Sequence, residues 1–98
     1  MNESPNLQRS LELGLDDLLA ELQDARRYDE LGRLALLAYC DVRRWARQAG
    51  ETGVAHQSTA IFTNQPHASK EAFLEQVDEL IAELQQVRPR LTQACSIH

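Results

Sequence analysis

Glycine and proline are scarce in this chain, at four and three residues in 98, and so few turn formers leave little room for an all-β domain of many tight hairpins. Aromatic residues are also few: two Phe, two Tyr and one Trp. Leu and Ala fill the apolar positions instead, and both favour helix. Only two cysteines occur, Cys40 and Cys95, too few for a disulfide framework, and both are expected as thiols. No long apolar run is present. The longest, Leu34 to Cys40, falls far short of the about 20 residues that a membrane-spanning helix needs. Residues Met1 to Ser10 contain no apolar stretch of the kind a secretory signal carries, so a cytoplasmic location is expected. Basic excess is missing as well. The formal net charge is −5, and the molecule as a whole repels phosphate backbones. With Gly14, Gly32, Gly50 and Gly53 as its only glycines, the chain has no glycine-rich phosphate cradle and no nucleophile elbow.

What is present is apolar periodicity. Leu7, Leu11, Leu15, Leu18, Leu22 and Ala25 form one series, and Leu31, Ala35, Ala38, Val42, Trp45 and Ala49 a second. A third comprises Phe73, Val77, Leu80, Leu84, Val87 and Leu91. Spacings of three and four put each series on one face of an α-helix. The chain therefore reads as an all-α single domain: an antiparallel hairpin of two helices packed by a third long helix. This is a three- to four-helix bundle that dimerisation could complete.

The boundaries follow from local signals. Helix one spans 7–26 and helix two 30–49, with Asp29 as N-cap, Glu30 in the first turn and Gly50 as the residue that stops the helix. Gly14 weakens helix one by about 1 kcal/mol relative to Ala, which suggests close approach by another backbone. The centre of helix two is apolar nearly all round, so it is expected to be covered on more than one side. Residues 51–68 form a loop or a short helix containing Val54, Ala55, Ser58, Ile61 and Phe62, broken by a turn at Asn64-Gln65-Pro66. Ser69 caps helix three, 69–87. Pro89 is expected to end or kink that helix, which leaves 88–98 as a frayed tail.

No catalytic constellation accompanies the helices. His56, His67 and His98 show no ligand spacing for a metal. The carboxylates sit on polar helix faces, where nothing shifts their pKa values. Cys40 lies inside the apolar run and is expected in the core, as is Trp45, which falls on the apolar stripe. No enzyme activity, metal or cofactor is therefore expected.

The informative polar pattern is charge. Arg33, Arg43, Arg44 and Arg47 crowd helix two, whereas Glu71, Glu75, Glu79 and Glu83 repeat every four residues along helix three. Like charges at that spacing disfavour an isolated helix. The row is read first as a solvated acidic face that aids solubility, and in the alternative as meeting the Arg face, within the chain or across a dimer. Leu36 and Leu13 lie off the main stripes and read either as scattered exposed leucines or, on adjacent helices of a hairpin, as a second apolar surface. Leu13, Arg33, Leu36, Tyr39, Arg43, Arg44 and Arg47 are thus the candidate partner-binding residues. The expected function is a non-catalytic protein-interaction module: an adaptor, small chaperone or regulatory subunit that holds itself or another protein through a helix face.

Two other readings stand beside it. One is a nucleic-acid-linked regulator using the arginines, disfavoured by the acidic flanks; the other is a small metal protein or enzyme in which His56 and His67 converge. The segment Arg27-Tyr28-Asp29-Glu30-Leu31 resembles the helix junctions of tetratricopeptide arrays, and the hairpin is similar in outline to small flagellar or type III export chaperones. No repeat of 20 to 50 residues accompanies these likenesses, and neither assigns a family. If copies of the chain associate through the Glu row and the Arg face, association weakens as salt rises. Light scattering across a salt series checks this, and salt-independent self-association excludes it.

Overall fold

A computed structural model describes residues 5–63 and 69–96, with side chains placed over 7–63 and 69–91. Every regular element among the described residues is helical. α1 is Pro5–Arg27. The second helix, α2, covers 31–49 in three uninterrupted segments: Leu31–Leu36, a π-helical turn at Leu37–Asp41, and Val42–Ala49. α3 is Thr52–Thr63 and α4 is Lys70–Ser96. The expected turn at Asn64-Gln65-Pro66, together with His67 and His98, lies outside the described residues.

Side-chain pairings give the directions. Leu11 and Asp24 of α1 meet Trp45 and Arg33 of α2, respectively, so α1 and α2 run antiparallel. Gln8, Asp16 and Arg26 of α1 meet Leu91, Arg88 and Asp78 of α4, again antiparallel. Ser58 and Phe62 of α3 meet Ala38 and Tyr39 of α2. α3 also packs on α4, and the four helices close a ring in an elongated body of 47 × 24 × 17 Å. The segment 52–63 is thus a full member of the bundle. Its β-branched residues are poor helix formers, but burial of Val54, Ser58 and Ile61 at spacings of four and three supplies what propensity does not.

The π turn explains which residues of α2 face inward. Leu34, Leu37 and Ala38 are buried, and so are Val42, Trp45 and Ala46: the same pattern displaced by eight residues. In an unbroken α-helix, eight residues overshoot two turns by most of a residue. The π turn takes up the excess. The stripe expected from regular spacing is corrected accordingly. Leu31 is 37% exposed, while Leu34, Leu37 and Ala46 take core positions. Cys40, expected in the core, is exposed, because it shares the outer face with Leu36.

Widening the turn has a cost. The Val42 amide donates to Leu37 O, five residues back, and Ala38 O loses the partner that α-geometry would provide. The hydroxyl of Ser58, which has no exposed surface, reaches across from α3 and donates to Ala38 O, with Tyr39 O also within 3.2 Å. Among the described residues no buried side-chain nitrogen or oxygen lacks a partner.

Both inter-helix turns after α1 and α2 use a left-handed residue. Asp29 (φ 52°) and Gly50 (φ 75°) are each followed by an amide bonded five residues back, Glu30 N to Ala25 O and Glu51 N to Ala46 O, both 2.9 Å. This is the Schellman closure. Asp29 therefore ends α1 and does not cap α2, whose N-cap is Glu30, without a side-chain bond. Ser69 Oγ accepts from the Ala72 amide at 3.1 Å and starts α4. α4 then continues through Pro89 to Ser96, past the expected stop. Pro89 is exposed, and so is Gln85, whose carbonyl loses a donor. Water can satisfy that carbonyl, while Val87 and Leu91 remain buried on the inner side.

Trp45 is 5% exposed and donates from Nε1 to Leu11 O at 2.9 Å. A Cβ added at Gly14 would stand 3.3 Å from its Cδ1. The close neighbour of Gly14 is thus an indole. Two bidentate pairs, Arg26–Asp78 and Arg88–Asp16, flank the α1–α4 seam. The hydrogen bonds that Arg26 and Arg88 donate to Asp78 and Asp16 raise their guanidinium pKa values above the ordinary one, against a smaller opposing effect of desolvation. The alternative reading, in which the Glu row meets the Arg face, is not realised within the chain. Among the described residues no ion pair joins Glu71, Glu75, Glu79 or Glu83 to Arg43, Arg44 or Arg47. The α4 carboxylate that does bind is Asp78, and its partner is on α1.

Two stability tests follow. Ser58→Ala removes the donor to a buried carbonyl and is expected to lower the unfolding free energy by about 1–3 kcal/mol in urea titrations. A change within ~0.5 kcal/mol of zero would show that the carbonyl finds another donor. Gly32 has open space around it, so Gly32→Ala is expected to gain up to about 1 kcal/mol from helix propensity. Gly14→Ala must displace a hydrogen-bonded, buried indole, and falls short of that gain or reverses it.

Candidate functional site

The π turn that turns Trp45 and Val42 inward leaves Leu36, Tyr39, Cys40 and Arg43 on the side of α2 that borders α3. Tyr39 stacks on Phe62 of α3, with ring centroids 4.3 Å apart and planes inclined by 24°. Arg43 Nη1 donates to the Tyr39 hydroxyl at 2.9 Å, and its Cζ lies 5.3 Å from the Tyr39 ring centroid. Phe62, Tyr39 and Arg43 therefore form one continuous stack across the two helices, with aromatic and cation–π contacts at each step.

Around this stack the surface is concave. A recess of about 240 Å³ lies between Leu36, Tyr39, Cys40, Ile61 and Phe62. Tyr39 and Cys40 also line a second recess, of about 330 Å³, with Arg43, Arg44 and Arg47. Arg43 and Arg47 in turn border a groove of about 600 Å³ whose other wall is α3, through Ala55, His56, Thr59 and Thr63. Shared residues join the three into one surface. Leu36 is 65% exposed and Phe62 49%, large values for side chains of this size.

The cations of this surface form no ion pair among the described residues. Arg26, Arg33, Arg88, Arg90 and Lys70 each hold a carboxylate within 4 Å, whereas Arg43, Arg44 and Arg47, like the separate Arg9 and Arg27 of α1, have no such partner among the described residues. Arg44 stands on the shoulder of α2, where it also lines a shallow recess toward α1 with Asp17 and Glu21.

The candidate residues thus divide. Leu36, Tyr39, Arg43, Arg44 and Arg47 come together. Arg33 does not join them, because Asp24 and Glu30 hold it at 3.1 and 3.0 Å at the α1–α2 corner. Leu13 is exposed on α1 and borders none of the joined recesses. Phe62, His56 and the small residues of α3 complete the face and were not among the candidates. A signal for Phe62 does exist: Val54, Ser58 and Ile61 already fill the inner stripe of α3, and the next residue falls about 100° away from it.

Among the described residues no three His, Cys, Asp or Glu side chains are grouped to hold a metal ion, and no helix is long and apolar enough to cross a membrane. No protein-family model, curated protein or solved structure matches this chain.

Proposed function

We propose that this protein is a non-catalytic interaction module that holds a partner protein across the α2–α3 face, as an adaptor, small chaperone or regulatory subunit. One observation carries the proposal: the most exposed apolar side chains of this face, Leu36 and Phe62, adjoin three arginines that no carboxylate of the described residues neutralises. Apolar surface of this kind gains free energy when covered. Unpaired guanidinium groups offer charge-assisted hydrogen bonds at its edge. Recognition of this type needs no cofactor. π turns inside helices also recur at functional sites, and Tyr39 and Cys40 sit on this one. The exposed thiol of Cys40 suits a reducing compartment, and we place the module in the cytoplasm.

A second copy of the chain is the first alternative occupant. Nucleic acid is the second, favoured by the arginine cluster beside an exposed aromatic ring and opposed by a net charge of −5.

The test is affinity purification of the tagged full chain from its native host, in parallel with a Leu36→Asp/Phe62→Asp variant and a Leu13→Asp control. A protein retained by the wild type and the control, and lost with the double variant, is the expected outcome. Identical retention by all three refutes the face. Light scattering of the purified complex tells a second copy from a different chain.

A further inference from the structure

We infer that the occupant of this face is an acidic amphipathic helix supplied by a different protein. The inference rests on the interaction face proposed above and adds the chemistry of the partner. Shape is the first argument. Leu36, Tyr39, Arg43 and Arg47 follow one another along α2 at spacings of three and four residues, a stripe of about 16 Å or three turns, apolar at one end and cationic at the other. α3 forms the opposite wall with Ala55, Thr59 and other small side chains, which let a third helix approach closely along the seam. A partner helix lying there presents anchors at i, i+3 or i+4, and i+7 to the recess of Leu36 and Phe62.

Charge is the second argument. Three arginines without an ion pair among the described residues cluster on this face; five of the other seven cations are neutralised locally, and the remaining two, Arg9 and Arg27, stand apart on α1. The face is therefore a basic island on an acidic protein. A short acidic helix meets the island at close range, where attraction is strong. A long polyanion also meets the surrounding carboxylates, which repel it over about one Debye length.

The third argument concerns a second copy. Its acidic surfaces are the outer side of α4, where Glu71, Glu75 and Glu79 are exposed, and the outer side of α1, where Asp17 and Glu21 are exposed. Among the described residues the exposed large apolar side chains are Leu7, Leu13, Tyr28, Leu31, Leu36 and Phe62, and α4 contributes none of them. A copy docking through α4 would neutralise the arginines yet leave Leu36 and Phe62 without a counterpart. A copy docking through α1 would bring Leu13 alone among its acids, where the groove takes anchors at i, i+3 or i+4, and i+7.

The experiment is selection of a phage-displayed library of helical peptides against the full chain, with fluorescence anisotropy on the peptides recovered. Recovered sequences are expected to be net acidic, with apolar residues at i, i+3 or i+4, and i+7. Their affinity is expected to fall with salt and to drop about tenfold or more in an Arg43→Gln/Arg44→Gln/Arg47→Gln variant. All three positions lie on the surface, and circular dichroism verifies that the variant is folded. Recovered peptides without an acidic bias, or binding the triple variant within about twofold of wild type, overturn the inference. In that case loss of binding in Leu36→Asp/Phe62→Asp would still uphold the face itself, and retention there would remove both. A single-stranded oligothymidine that binds more tightly than the best peptide overturns the inference in favour of nucleic acid.

Discussion

The carbonyl oxygen of Ala38 is the point on which the architecture of α2 turns. Two inward-facing triplets, Leu34-Leu37-Ala38 and Val42-Trp45-Ala46, are eight residues apart. They can face the same core only if the helix widens between them. Widening deprives Ala38 O of its helical donor, and a buried carbonyl without a donor costs more than a typical hydrogen bond contributes. Ser58 removes that cost from a neighbouring helix. The bond also places α3 against α2 at a defined level, because a hydroxyl has only a few ångströms of reach. Stacking of Phe62 on Tyr39, one turn further along α3, follows from the same docking.

The rest of the bundle is ordinary by comparison. α1 and α4 meet through leucines and valines that have little or no exposed surface, with bidentate Arg–Asp pairs at the margin. Those exposed pairs contribute little to stability individually. Their orientation matters more, since Arg26 with Asp78 and Arg88 with Asp16 suit one antiparallel register and oppose others. Local pairing also sorts the cations. Arg26 and Arg88 at the α1–α4 seam and Arg33 at the α1–α2 corner find carboxylates, whereas among the described residues Arg43, Arg44 and Arg47 of α2 do not. The molecule is acidic overall, yet its arginines on the α2–α3 face remain available.

Much of this was legible in the sequence. All six residues of the last apolar series, Phe73 to Leu91, are buried, since a long helix with one dry face obeys regular spacing. Gly50 and Ser69 perform the stop and start that their chemistry suggests. The failures share one cause, which is that a local rule was overridden by something distant in sequence. Pro89 did not end α4, because its lost bond faces water while its neighbours are held inside. Asp29 closes α1 through a left-handed turn in place of capping α2. Leu31 lies outward because the helix that carries it is not regular, and the eight-residue repeat of burial in α2 is the sign of it. Cys40 is exposed with Leu36, four residues before it on the same outer face. In the candidate site, Leu36 was singled out by its place off the apolar stripe, and Arg43, Arg44 and Arg47 by their charge. Phe62 and the α3 wall were not, because they belong to a segment with weak helical propensity.

Periodicity in one dimension determines which residues of a helix can share a face. That is why the all-helical class, the two long apolar seams and the outward position of Leu36 were fixed by residue order. Which face meets which neighbour depends on pairings between residues 20 to 83 positions apart, such as Ser58 with Ala38, Trp45 with Leu11 and Gln8 with Leu91. Those contacts exist only once the chain has folded. They alone decided that α2 carries a π turn, that α3 is a helix, and that aromatic and cationic side chains converge on one groove.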